Sequence, residues 1–278
     1  MESTFLQAIE GKLNVKIGKA IPVSGGSINA AYCIITDKGK FFVKCNSASR
    51  YPGMFEKEAG GLRLLASSAA IALPEIVLED ESFLVLKWVE VGRRKSNFYE
   101  IFGRQLAEMH RFSSANFGLD HDNYIGSLQQ KNDWKKSWTE FFITCRIEPL
   151  LESAKQHPSG IQKNLASLYK QLDNIFPVEK PALLHGDLWS GNYMVNETGN
   201  PLLIDPAVYF GHREMDIAMT TLFGRCDDAF YQSYHNAYPL HPGWEERIDI
   251  CNLYPLLVHV NLFGRSYWSG VENILNRF

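Results

Sequence analysis

His185-Gly186-Asp187-Leu188-Trp189-Ser190-Gly191-Asn192 is followed, thirteen residues beyond Asn192, by Asp205. A single Asp is an ordinary turn cap and a single Asn an ordinary loop amide. An Asp, an Asn five positions on, and an Asp closing the next apolar strand form a rarer set. Leu183-Leu184 reads as a short strand leading into the loop. Tyr193-Met194-Val195 and Leu202-Leu203-Ile204 read as strands around the turn Glu197-Thr198-Gly199-Asn200. Asn192 then opens one strand and Asp205 closes its return, and an antiparallel return puts the two ends side by side. Their oxygens can converge on one or two Mg2+ ions, which take a few protein oxygens and complete their shell with phosphate oxygens. Asp187 is the candidate base, placed to orient an acceptor hydroxyl and take its proton. His185 reads as a structural brace of the loop.

Such a site needs a nucleotide partner, and the first ninety residues supply candidates in the correct order. Val23-Ser24-Gly25-Gly26-Ser27-Ile28-Asn29 is a Gly-rich turn entering a strand. Paired glycines let backbone N–H groups approach phosphate oxygens, which makes Gly25, Gly26 and Ser27 candidate nucleotide contacts. Lys44 ends an apolar strand, sharing one face with Phe42. In the following helix Phe55, Glu58, Leu62 and Leu65 form one stripe at helical spacing, so Glu58 faces the core. A carboxylate there needs a cationic partner. Lys44 is the nearest upstream candidate, and the pair would hold it extended toward nucleotide phosphates. Glu56 and Lys57 fall off that stripe and read as solvent-facing.

At 278 residues the chain can form one large domain or two lobes. The expected class is α+β, with a small β-rich N-terminal lobe (1–88) and a larger helical C-terminal lobe (89–278) around a cleft. The first lobe shows strands over Ala30–Thr36 and 41–44, a helix over Met54–Ala66, and a hairpin from 76–78 to 83–86. The second shows helices over 98–109, 134–151 and 162–176, and a mostly helical tail from Met215. A net charge of −3 gives no basic field for nucleic acid or anionic membrane. No apolar run reaches membrane-spanning length and no signal peptide is read, so a reducing cytoplasm is the expected location. The five cysteines are scattered, unlike a disulfide framework or a zinc site, and Cys33 and Cys45 read as packed strand thiols.

These residues resemble the fructosamine kinase (ketosamine-3-kinase) family, of the protein-kinase-like fold shared with aminoglycoside phosphotransferases and choline kinases. The resemblance spans nearly the whole chain. The His185-Gly186-Asp187 segment and Asn192 are common to the wider group. Trp189-Ser190 and the stretch Asp205-Pro206-Ala207-Val208-Tyr209-Phe210-Gly211-His212-Arg213-Glu214-Met215-Asp216 are more particular to fructosamine kinases. The resemblance implies that Lys44 meets ATP phosphates, paired with Glu58. It implies that Leu86, Lys87, Trp88 and Val89 form the hinge that binds adenine, and that Asp216 braces the catalytic loop. The implied reaction is ATP- and Mg2+-dependent phosphorylation of a ketosamine hydroxyl, usually at O3, on small amines or glycated protein lysines. The implied product sheds the sugar and repairs the amine. Pro206-Ala207 stands where protein kinases carry Phe-Gly, so no movable activation segment is expected. Ser27 stands where some members carry a cysteine that links two chains, so no disulfide-linked pair through this loop is expected; a monomer is the default expectation. Trp189 either walls the sugar or packs in the core, and His212 and Arg213 either line the acceptor side or make internal ion pairs. The alternatives are an aminoglycoside- or choline-type kinase of the same fold and a non-catalytic nucleotide-binding protein.

Overall fold

The computed structural model describes residues 3–24, 28–154, 157–158 and 160–278. Its first part is built on one antiparallel sheet. Helix α1 (Ser3–Leu13) leads to β1 (Ile17–Pro22), β2 (Ala30–Thr36), β3 (Gly39–Cys45), α2 (Met54–Ser67), β4 (Ile76–Glu79) and β5 (Phe83–Lys87). The order across the sheet is β1-β2-β3-β5-β4. Side-chain alternation makes this sheet two-sided. In β5, Phe83 and Val85 enter a core with Ile9, Ile34 and Val43 on the α1 side. Leu84 and Leu86 enter a second core with Phe55, Ala59 and Leu62 of α2. Apolar residues are therefore needed at consecutive positions, and the strand reads as an unbroken hydrophobic run.

The larger part is mostly helical. Helix α3 (Phe98–His110) is followed by a short hairpin, β6 (Asn123–Ile125) and β7 (Leu128–Gln130). Helix α4 (Trp138–Phe141) runs through a π-helical stretch, Phe142–Ile147, into α5 (Glu148–Ser153), and α6 (Ile161–Ile175) follows. Then come β8 (Ala182–Leu184), β9 (Tyr193–Val195), β10 (Pro201–Leu203), β11 (Tyr209–Gly211), α7 (Glu214–Leu222), α8 (Asp228–Ala237), α9 (Trp244–Phe263) and α10 (Trp268–Leu275). Helices α3 and α8 approach closely at Gly103, where an added Cβ would come within 2.2 Å of the Phe230 carbonyl oxygen. No helix among the described residues is long and apolar enough to cross a membrane.

Two details differ from the sequence expectation. The helix expected from Trp134 begins at Trp138, because Ser137 is extended and its Oγ accepts the Glu140 N–H at 3.2 Å, a helix cap. The other is a pairing that the sequence does not indicate: β8 pairs with β11, with Leu184 opposite Tyr209, while β9 pairs with β10 as expected. The β8–β11 ladder sets the Asp187 loop, which leaves β8, beside the chain that follows Asp205.

Candidate active site

A cleft of about 650 Å³ is lined by residues of both parts, including Lys44, Glu58, Asp187, Trp189, Asn192 and Asp205. Strand β3 presents Phe42 and Lys44 to it, while Val43 points into the α1-side core. Lys44 Nζ lies 2.7 Å from Glu58 Oε1 and 2.7 Å from Asp205 Oδ1. Burial alone would lower the lysine pKa, but the two carboxylates outweigh it and push the group up. Lys44 is thus held as an ammonium, stretched across the cleft.

The hairpin geometry read from the sequence is present. Leu203 sits opposite Tyr193, and the Ile204 N–H donates to the Asn192 carbonyl at 3.0 Å. Asn192 and Asp205 therefore leave the ladder as neighbours. Asp205 adopts φ 56°, a left-handed backbone that costs a non-glycine residue about 1–2 kcal/mol. Asn192 Nδ2 donates to Asp187 Oδ2 at 2.8 Å and to the Asp187 carbonyl at 2.8 Å. With its nitrogen so engaged, the side-chain oxygen of Asn192 is the atom left for a cation. Among the described residues no cluster of three or more His, Cys, Asp or Glu could hold a metal. One amide oxygen and one carboxylate fit Mg2+ that completes its shell on phosphate oxygens.

The loop that carries Asp187 is pinned from below. Asp216 accepts the backbone N–H of His185 at 2.7 Å and of Gly186 at 2.9 Å, and its carboxylate also meets His110 Nε2 at 3.2 Å. His185 Nε2 bonds the Ile204 carbonyl at 2.9 Å, tying this loop to the strand that ends before Asp205. Burial lowers the His185 pKa, and the Asp187 N–H donates to its Nδ1 at 3.3 Å, which leaves Nε2 as the donor. Gly186 has φ 81°, and a Cβ there would meet the Ala207 carbonyl oxygen at 2.0 Å, so only glycine fits. Burial, with Asp205 and Asp216 nearby, pushes the Asp187 carboxyl up to about 7 against the opposing Asn192 hydrogen bond. A carboxyl titrating near neutral pH is suited to general-base work.

Leu86, Lys87, Trp88 and Val89 all line the cleft, as does Trp189, whose ring meets Phe223 edge-on at 6.3 Å. Gly25, Gly26 and Ser27 lie outside the described residues; Ser24 and Ile28 on either side line the cleft. For His212 and Arg213 the structure takes the internal alternative over the acceptor-lining one. Neither lines the cleft, and both are buried beside Glu179. Arg213 Nε and Nη2 fork onto Glu179 at 2.6–3.0 Å, and its remaining donors reach the Tyr238 and Pro239 carbonyls. Lys57, read as solvent-facing, instead lines the cleft, with Nζ 5.4 Å from the Tyr124 ring centroid.

Several cleft residues escaped the sequence reading. Tyr124 and Gly126 come from the β6–β7 hairpin, and His259 and Phe263 from α9. His259 and Phe263 stand four apart on one helix face, a visible spacing, but an aromatic pair on a helix is ordinary core composition. His259 Nδ1 bonds the Pro255 carbonyl at 2.7 Å, and burial lowers the pKa of the ring.

Similarity to known proteins bears on identity. The family model described as "Fructosamine kinase" matches residues 1–278. A probable ketoamine kinase of Lactiplantibacillus plantarum is 41% identical over 266 residues, covering 92% of this chain and 93% of that protein. The chloroplastic protein-ribulosamine 3-kinase of Arabidopsis thaliana is 38% identical over 280 residues, covering 97% and 85%. The crystal structure of a putative fructosamine-3-kinase from Thermobifida fusca superposes with a TM-score of 0.91 at 31% identity, covering 99% of this chain and 98% of that one. The two-part α+β fold expected from the sequence is the observed one.

Proposed function

The chain belongs to the fructosamine kinase family, and from that premise we propose that it transfers the γ-phosphoryl group of ATP to the O3 hydroxyl of a ketosamine. The acceptor is a fructosamine or ribulosamine, carried on a small amine or on a protein lysine. The enzyme acts as a monomer in the cytoplasm. Residues 1–88 form the nucleotide lobe and 89–278 the catalytic and acceptor lobe. The observation that carries this reading is the Lys44 ammonium between Glu58 and Asp205, in one cleft with the hydrogen-bonded Asp187–Asn192 pair.

Each part has a task in phosphoryl transfer, where positioning and charge stabilisation do most of the catalysis. Leu86 to Val89 receive adenine. Lys44 meets phosphate oxygens, held in reach by Glu58. The Asn192 side-chain oxygen and the Asp205 carboxylate would hold Mg2+, whose charge offsets that of the phosphates. Asp187 orients the sugar hydroxyl and takes its proton as the new O–P bond forms and the bond to ADP breaks. Trp189 walls the sugar. The 3-phosphate product then sheds the sugar and leaves the free amine.

ATP consumption with fructosyl-lysine and ribulosyl-lysine tests the proposal. Turnover with at least one, and none with an aminoglycoside or choline, is the expected result. Turnover confined to those other alcohols would overturn the ketosamine assignment. Absence of turnover with every acceptor, with ATP still bound, would favour a non-catalytic role.

A further inference from the structure

The two carboxylates that hold Lys44 arrive from different parts of the molecule, Glu58 on α2 and Asp205 after β10. Both supports converge on one small element, the β6–β7 hairpin. In β6, Asn123 and Tyr124 are consecutive, and a strand sends consecutive side chains to opposite faces. Asn123 Nδ2 donates to the Val208 carbonyl at 2.8 Å, and its register partner Gln130 donates to the Ala207 carbonyl at 3.0 Å. These bonds fix the backbone just beyond Asp205. On the other face Tyr124 OH donates to the Pro52 carbonyl at 3.0 Å, immediately before α2 begins at Met54. Tyr51 meets the Tyr124 ring edge-on at 6.4 Å, and Lys57 of α2 lies over it.

The hairpin is itself made rigid from behind. Gln130 Nε2 donates to Asn123 Oδ1 at 2.7 Å, and Asn132 Nδ2 donates to the same oxygen at 2.9 Å. Arg146 Nη2 donates to Asn132 Oδ1 at 2.8 Å, and Tyr254 OH to Gln130 Oε1 at 2.5 Å. Asn123, Gln130, Asn132, Arg146 and Tyr254 are all buried. The three amides of this buried network are hydrogen-bonded at both nitrogen and oxygen, while Arg146 Nε has no hydrogen-bond partner among the described residues; paired buried groups of this kind rigidify what they hold. The Arg146 guanidinium, with its carbon 3.8 Å from the Tyr209 ring centroid, needs that aromatic and carbonyl surround, since no ion pair to it is present among the described residues.

We propose that the β6–β7 hairpin is a fixed brace that sets the Lys44–Glu58–Asp205 clamp, with Tyr124 the positioning residue for α2 and Asn123 and Gln130 those for the Asp205 loop. This rests on the kinase reading above and adds to it. The brace holds this clamp together without a ligand. Tyr124 is only half-buried, so its variants can be expected to fold.

The test measures Mg·ADP binding by calorimetry, together with KM for the ketosamine. It uses wild type, Tyr124→Ala, Tyr124→Phe, Glu58→Gln and the Tyr124→Ala/Glu58→Gln double variant. Removing a group that orients a metal- or phosphate-binding residue costs about tenfold or more in affinity, and that loss is expected for Tyr124→Ala. Ketosamine KM should stay within about twofold, and Tyr124→Phe, which keeps the ring, should recover part of the loss. Because Tyr124 acts through α2, its effect should shrink when Glu58 is already gone, whereas a merely structural defect would add in full. Unchanged Mg·ADP affinity in Tyr124→Ala, equal losses in both backgrounds, or a change confined to ketosamine KM would each overturn the brace while leaving the kinase reading intact. Failure of the wild type to bind Mg·ADP would overturn both.

Discussion

Two buried charge clusters invite comparison. One is the cleft group of Lys44, Glu58 and Asp205, with Asp187 close by. The other is Glu179 with Arg213, flanked by His212 at 3.7 Å and His241 at 3.3 Å. Around Glu179 the charges close on themselves: a guanidinium fork meets the carboxylate, and two carbonyls take the donors that remain. In the cleft they do not close. One ammonium faces two carboxylates, and Asp205 keeps 40% of its side chain exposed. An unbalanced negative charge beside open space is a place for a cation and its phosphates. A balanced, sealed pair is a fastening.

Asp187→Asn should give the largest departure between the two clusters. Losing the base lowers kcat about 10²–10⁴-fold. ATP affinity, measured by calorimetry, should stay nearly constant, because the group acts mainly in the transition state. Unchanged kcat would remove Asp187 from the role of base. Next comes Arg213→Met, which strands Glu179 without its partner. Breaking a buried pair in this way costs about 3–5 kcal/mol of folding stability, read by urea unfolding. Nucleotide affinity of the folded variant should match wild type, and a selective loss of ketosamine binding would return Arg213 to the acceptor side.

The smallest expected effect is in the pH dependence of stability of the nucleotide-free protein, where the clusters act in opposite directions. Burial would raise the Glu179 pKa, but the Arg213 fork and the charges of His212, Arg213 and His241 outweigh it and hold it below the usual range. Its stabilisation is therefore present above the unfolded-chain value and lost as pH falls through the folded one. Asp187 is pushed the other way, up to about 7. The folded state binds its proton more tightly than the unfolded chain, so stability declines as pH rises from the ordinary Asp range through about 7. In thermal melts, Glu179→Gln should flatten only the acid limb and Asp187→Asn only the limb approaching neutrality. Flattening of the same limb by both would merge the clusters into one coupled group.

What the sequence reveals follows the same division. Lys44 and Glu58 are legible because a carboxylate on an apolar helical stripe demands an explanation. Asn192 and Asp205 are legible because a short hairpin fixes which residues end up adjacent. Such arguments use local periodicity and antiparallel return, which the chain carries within a few turns. The β6–β7 hairpin is different. Asn123, Gln130 and Asn132 are polar residues in a segment without clear alternation, and their burial is compensated by bonds among themselves, by carbonyls some eighty residues away, and by Arg146 and Tyr254. The pairing of β8 with β11 is hidden for a related reason, since three-residue strands have too little pattern to announce a partner. The enclosure of Arg213 depends on Glu179, thirty-four positions earlier and in no shared motif.

Lys44 has one more property that matters for an enzyme acting on sugar-modified amines. A reducing sugar adds to an amine only through the nitrogen lone pair, which a protonated ammonium lacks. Asp205 and Glu58 overcome burial and drive the Lys44 pKa upward, and each takes one of its N–H groups at 2.7 Å. The lysine proposed to meet the nucleotide phosphates is thereby chemically quiet toward the class of damage that the enzyme is proposed to reverse. Protein repair of this kind would not disable itself at the lysine of its own cleft.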